Sequence, residues 1–172
     1  MTFRSTTAAV LLSTFALAPA APAADQTASP IAVADSAPLL INPGELKWEK
    51  TIPAAGDKSP EYAILHVNPE THLTILMFRT PVPVHIKPHT HGLAETHVVL
   101  SGGMHVFVAN GIRYGIENGG YLRMPGGVVH EAWLPAGSLT LNIEESGWEV
   151  NWLNGGPSEE DIGQTPPGRV PQ

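Results

Sequence analysis

The chain of 172 residues contains no cysteine. That absence excludes disulfides, thiolate-ligated zinc and thiol nucleophiles, so any bound metal must sit on nitrogen and oxygen. Basic side chains are scarce: nine Lys and Arg stand against 16 Asp and Glu, for a formal net charge of -7. They are also scattered, and no basic stripe is left for nucleic acid or an anionic lipid surface. Beyond the N-terminal region no window of about twelve residues carries a clean 3.6-residue apolar period, which predicts little helix. No internal repeat is visible. The length supports one domain with a real core and is too short for two once the termini are discounted.

The first residues hold Arg4, an apolar run from Ala8 to Leu17, and Ala21-Pro22-Ala23 ahead of Ala24-Asp25. A short basic start, an apolar stretch and a small-x-small site read as a cleavable secretory signal over residues 1–23. Ser13 and Thr14 interrupt the run, and it is shorter than the ~20 apolar residues that span a bilayer, which argues against an anchor. The expected location is periplasmic or secreted, with no membrane contact after cleavage. Residues 24–43, rich in Ala, Pro and Ser, read as a linker. Residues 44–153 form the expected folded domain. Residues 154–172 gather Gly, Pro and acidic side chains with almost no apolar anchors and predict a disordered tail.

Within the domain, short apolar runs alternate with turn signals: Tyr62 to Val67, Leu73 to Phe78, His97 to Leu100, Met104 to Val108, Ile112 to Ile116 and Leu139 to Ile143. Many short strands mean an all-β sandwich or barrel. Asn110-Gly111, set between two such runs, is the strongest hairpin signal, since a type I′ turn needs positive φ at both central positions. Asn118-Gly119-Gly120 marks another turn.

Between 89 and 130 the chain gathers three imidazoles and a carboxylate: His89, His91, Glu95 and His130. In an extended strand, side chains two apart share a face, so His89 and His91 can address one ion while Thr90 faces away. Glu95 keeps the even spacing, with Gly92 able to bend the path. His130, beyond Pro125-Gly126-Gly127, can close the site from a neighbouring strand. The donors suit one divalent ion per chain, with Fe, Mn, Zn, Ni and Cu all compatible.

The spacings His89-x-His91-x3-Glu95-x6-Gly102 and Gly119-x5-Pro125-x-Gly127-x2-His130 resemble the paired motifs of the cupin superfamily. Two separately spaced motifs in the right order are far more specific than either alone. The resemblance covers roughly the central half of the chain. It departs from the family pattern at Pro83, where a Gly usually opens the first motif, and at Leu134, where an Asn usually closes the second. Neither departure touches a ligand. The resemblance implies a small single-domain jelly-roll barrel (double-stranded β-helix), a metal near its mouth, a small-molecule substrate or ligand, and a homodimer.

Around the ligands, His97 lies two beyond Glu95 and is the candidate proton donor or partner of the metal ligands, with a hydrogen-bonded structural His as the bland alternative. His85 could approach the mouth, whereas His66, His72 and His105 read as structural or exposed. Among Arg79, Arg113 and Arg123, the last precedes the second motif and is the candidate clamp for a substrate carboxylate. Trp133, Trp148 and Trp152 read as barrel packing. Fold does not choose a function. The leading expectation is dioxygenase-type chemistry on a small organic molecule with Fe or Mn. Its rivals are a non-redox isomerase, lyase or decarboxylase, and a non-catalytic periplasmic binding module.

Overall fold

The computed structural model describes residues 38 to 168, and residues 40 to 168 belong to one unit. The expected signal peptide, most of the linker and the last four residues of the tail lie outside the described residues. Eleven strands form among those described: β1 Glu49–Lys50, β2 Glu61–Val67, β3 Thr74–Thr80, β4 Val84–Thr90, β5 Glu95–Ser101, β6 His105–Ala109, β7 Ile112–Ile116, β8 Tyr121–Met124, β9 His130–Leu134, β10 Ser138–Glu144 and β11 Asn151–Trp152. The only helical pieces among these residues are short 3-10 segments at Pro43–Glu45, Pro53–Lys58 and Glu159–Asp161. All six expected apolar runs fall in strands, except that Leu73 and Met104 lie one residue before theirs. β1, β4, β8, β9 and β11 are added to them.

The strands pair antiparallel into two sheets, ordered β1-β2-β3-β10-β5-β8 and β11-β4-β9-β6-β7. In β3 every second side chain is buried, with Thr74, Leu76, Phe78 and Thr80 inward, the period of two that one core-facing sheet surface imposes. Leu76, Phe78 and Val99 from the first sheet meet Val84, Phe107, Ile116, Ala132 and Leu134 from the second to form the core. Each large side chain here contributes about 1.5–3 kcal/mol by leaving water. Leu134, the departure from the second motif, is one of these core residues. The result is the expected all-β jelly roll, two sheets packed face to face.

The Asn110-Gly111 hairpin forms as expected: φ is 51° at Asn110 and 75° at Gly111, and Ala109 pairs with Ile112 across the turn. The expectation of a disordered tail is corrected over the described part. Ile162 bridges Val84 on the edge of β4 and packs on the core, and the Gly163 N–H donates to the Pro83 carbonyl at 2.7 Å. Asp161 accepts from the Ser158 backbone N–H at 2.7 Å and pairs with Lys87 at 3.1 Å. The segment is acidic, but its buried carboxylate has a cation and an N–H waiting on β4 and Ser158. Together with β11 it covers an edge that would otherwise offer unpaired backbone groups.

Candidate metal centre

The four candidate ligands come from both sheets. In β4, Val84 is buried and Ile86 faces the cavity, so strict alternation would turn His89 outward. A register shift between Ile86 and His89, across Pro88, resets the phase and turns His89 inward, directly opposite His130 of β9. Pro88 lacks the N–H that a regular ladder would need there. His91 follows the end of β4, and the chain then crosses to the first sheet, where Glu95 opens β5. Glu95 therefore does not continue the strand of His89, as its even spacing suggested. It reaches the site from the opposing sheet. The turn before β9 is tied to this crossing, because the Gly127 N–H donates to the His91 carbonyl at 2.9 Å. A Cβ on Gly126 would lie 2.7 Å from the Gly92 carbonyl oxygen, so that contact requires glycine.

His89, His91, Glu95 and His130 are all buried, and one ligand atom from each lies within 4.8 Å of the others. The tautomers are set by the backbone. Nδ1–H of His89 donates to the Lys87 carbonyl at 2.6 Å, that of His91 to the Glu149 carbonyl at 2.6 Å, and that of His130 to the Val128 carbonyl at 3.0 Å. Each Nε2 is left with its lone pair. His91 Nε2 lies 3.2 Å and His130 Nε2 3.3 Å from Glu95 Oε2, and the former is buried without a hydrogen-bond partner. Three lone pairs and a carboxylate converging away from water repel one another unless a cation lies among them. The donor set thus fits one divalent metal ion, with nitrogen and oxygen ligands only.

Electrostatics agree with that reading. Burial alone would raise the Glu95 carboxyl, but the imidazoles of His97, His130 and His91 outweigh it and hold its pKa well below the ordinary value. For His91 burial pulls down and Glu95 pushes up more strongly, so its pKa is raised and a proton can stand in the cation's place. Burial, helped by His130, lowers His89 to about 4, which keeps it neutral and able to ligate.

His97 sits where expected, lining the cavity with Nε2 2.9 Å from Glu95 Oε2. Arg123 does not: half exposed on β8, it pairs with Glu145 at 3.0 Å, and the expected carboxylate clamp is corrected. Alternation explains this, since Glu95, paired with Met124, faces inward and Thr96, paired with Arg123, presents the opposite face. His85 is also turned away from the cavity, stacked on Trp133 and bonded to Glu131 at 2.8 Å. Arg79 pairs with Glu61 and covers Trp48, while Arg113 donates to the Pro167 carbonyl.

Several contributors escaped the sequence reading. Asn142 Nδ2 donates to Glu95 Oε1 at 3.4 Å. Glu144, fully buried and paired across strands with Glu95, has Oε2 3.5 Å from His91 Nδ1. Burial, with the Glu95 charge adding to it, pushes its pKa up to about 11, so it is a neutral acid. Trp148, Val150 and Trp152, every second residue of the segment before and into β11, line the cavity, so Trp148 and Trp152 do more than the packing expected of them. That period of two was visible in the sequence. The cavity is walled mainly by apolar and aromatic side chains and has the candidate ligands at one end.

No protein-family model matches the chain, and no curated protein matches it. Solved structures do. An RmlC-like cupin from Shewanella frigidimarina superposes with a TM-score of 0.54 at 15% identity, covering 66% of this chain and 95% of that one. The DMSP lyase DddQ from Ruegeria pomeroyi gives 0.51 at 15% identity over 63% of this chain and 61% of its own. A protein provisionally assigned as an acetylacetone dioxygenase from Methylibium petroleiphilum gives 0.50 at 15% identity over 62% and 75%. At such identities a likeness speaks for architecture alone, and on that architecture this chain has the fold of the cupin superfamily.

Proposed function

We propose that this protein is a metal-dependent enzyme of dioxygenase type acting on a small organic molecule, with His89, His91, Glu95 and His130 holding one Fe or Mn ion. The observation that carries the reading is the convergence of three Nε2 lone pairs and one carboxylate at the end of a largely apolar cavity. Such an ion, when bound, would supply Lewis-acid and oxygen-activating chemistry at that end of the cavity. The chain's own residues do the rest. Asn142 and His97 fix the two oxygens of Glu95, and His97 holds a proton at Nε2 on the cavity wall, within reach of a bound substrate. Phe107 beside His97 and Trp152 beside His89 exclude water from the reacting end. Both atoms of dioxygen would enter the product, so no external reductant is needed. The test is metal content by plasma mass spectrometry together with oxygen uptake: iron or manganese near one per chain, with uptake matched to substrate loss, is expected. Turnover unchanged under anaerobic conditions would sink the dioxygenase reading.

His97 favours a second reading, since a titratable side chain on the cavity wall also serves proton transfer in a non-redox isomerase, lyase or decarboxylase. Zn, Ni or Cu would then serve as well, and oxygen-independent turnover is the outcome that selects it. A binding module without chemistry is excluded by multiple turnover of any substrate. Export rests on the pattern of residues 1–23 and is tested by fractionation. A homodimer is supported by the partly exposed outer face of the first sheet, where Ile75, Met77, Leu141, Ile143 and Val98 are neighbours in register. Light scattering at the monomer mass would refute it.

A further inference from the structure

Among the described residues that line the cavity the only acid is the candidate ligand Glu95, and there is no Lys or Arg. The cations nearest in sequence to the motifs are committed elsewhere: Lys87 to Asp161 and Ser158, Arg123 to Glu145, Arg79 to Glu61, Arg113 to the Pro167 carbonyl. A substrate charge away from the ligand end would lie among Trp148, Val150, Leu134 and Phe78 with no counter-ion, and burying an unpaired charge is strongly unfavourable. At the ligand end an acceptor is unsatisfied. Asn142 Oδ1 is buried with no hydrogen-bond partner, while its Nδ2 is held by Glu95. An orphan acceptor on a cavity wall calls for a donor on the ligand that fills it.

The aromatic walls are fixed. Trp152 lies with its ring centroid 5.0 Å from that of His89, and Trp148 is braced by Tyr62 at 5.4 Å. The segment that carries both also gives the Glu149 carbonyl to His91, and the Glu149 carboxylate accepts from the Gly92 N–H at 2.8 Å. The wall and the ligand end are thereby held in one frame.

We propose that the substrate is a small, otherwise uncharged aromatic or apolar molecule with one hydroxyl, held with that hydroxyl toward Asn142 and the ligand cluster and its body against Trp148 and Trp152. This deepens the enzymatic reading above and rests on it for the identity of the site. Trp148 and Trp152 are then the residues that set specificity, by offering ring faces and refusing charge.

The experiment is calorimetric titration of the full chain with two nearly isosteric probes, 4-propylphenol and 3-(4-hydroxyphenyl)propanoate, which differ in a terminal methyl against a carboxylate. The neutral phenol is expected to bind at least about tenfold more tightly. Trp152→Leu, compared at equal metal occupancy, is expected to weaken the phenol by roughly fivefold or more, with Trp148→Leu as the second variant should the first not fold. Equal or tighter binding of the carboxylate, binding of neither probe, or unchanged affinity in both Trp variants would overturn the proposal. Metal content is measured on the same preparations. A protein that holds one ion per chain but fails the probe test refutes the substrate class alone. A protein that holds no ion refutes the enzymatic reading, and the ranking of the two probes still decides the chemistry of the cavity.

Discussion

His105 opens β6 with no solvent exposure. Its Nε2 lies 3.3 Å from the Ser101 carbonyl and 3.0 Å from Ser138 Oγ, and that hydroxyl gives its own proton to the Pro135 carbonyl at 2.9 Å. The imidazole must therefore donate from Nε2, leaving Nδ1 bare and without a partner. Protonation would bury a charge and an unsatisfied N–H together. Burial is the main cause that lowers the pKa from 6.5 to about 4, opposed by the Ser101 bond and aided by His97. Above 6.5 the group is neutral folded and unfolded, and it makes no pH-dependent contribution. As the pH falls from 6.5 to about 4 the unfolded chain takes up a proton that the native state refuses, so stability is lost across that window and the loss levels off below it. At about pH 5 the loss is about 2 kcal/mol, growing to about 3 kcal/mol at full protonation of both states. His105→Gln keeps an N–H donor and cannot titrate. Urea unfolding of both proteins in chelator, at about pH 7.5 and about pH 5, gives the comparison, and other groups such as His89 cancel in the difference. The wild type is expected to lose about 2 kcal/mol more than the variant on acidification. Equal losses would refute the buried neutral tautomer.

Two further predictions concern the ligand cluster. His91→Ala should hold well under one metal ion per chain and lose the rise in melting temperature that added Mn or Fe gives the wild type; stoichiometric metal in the variant would remove His91 from the ligand set. In the metal-free protein near pH 7, Glu144→Gln should stabilise by about 3 kcal/mol, because the native state keeps a proton that the unfolded chain releases above 4.5; the gain should vanish as the pH falls to 4.5, and destabilisation at neutral pH would mean that Glu144 is ionised.

The four clustered side chains were legible because two short motifs carry them. His89 and His91 are two apart, and His130 follows a Pro/Gly turn that brings it beside β4. What lay hidden depends on pairing between distant segments. Glu144 meets Glu95, and Asn142 meets His97, only through the register of β10 against β5. Nothing near Glu144 in the sequence marks that partner, and a shift of one residue would turn it outward. Arg123 failed for the same reason: proximity to a motif does not fix which face of β8 a side chain occupies. The tail failed because composition counts charges without their partners, and Asp161 has Lys87.

Strand β10 shows how the interior is divided between stability and chemistry. Its inward positions are Ser138, Thr140, Asn142 and Glu144, all polar and buried, while Leu139, Leu141 and Ile143 face outward. Hydrophobic patterning alone would orient this strand the other way. The inversion is sustained because its inward row passes His105, the cavity and the ligand cluster in turn, where hydrogen-bonding side chains have partners or work to do. Phe78 beside it on β3, and Val84, Phe107, Ala132 and Leu134 on the opposite sheet, belong at once to the core and to the cavity lining. The cavity is thus the end of the core where packing stops. A larger side chain at Ala132 would fill that space and add buried apolar surface, but it would do so in the volume a substrate needs. Stability and function in this chain compete for the same few ångströms, which is the expected form of the trade-off in a one-domain barrel.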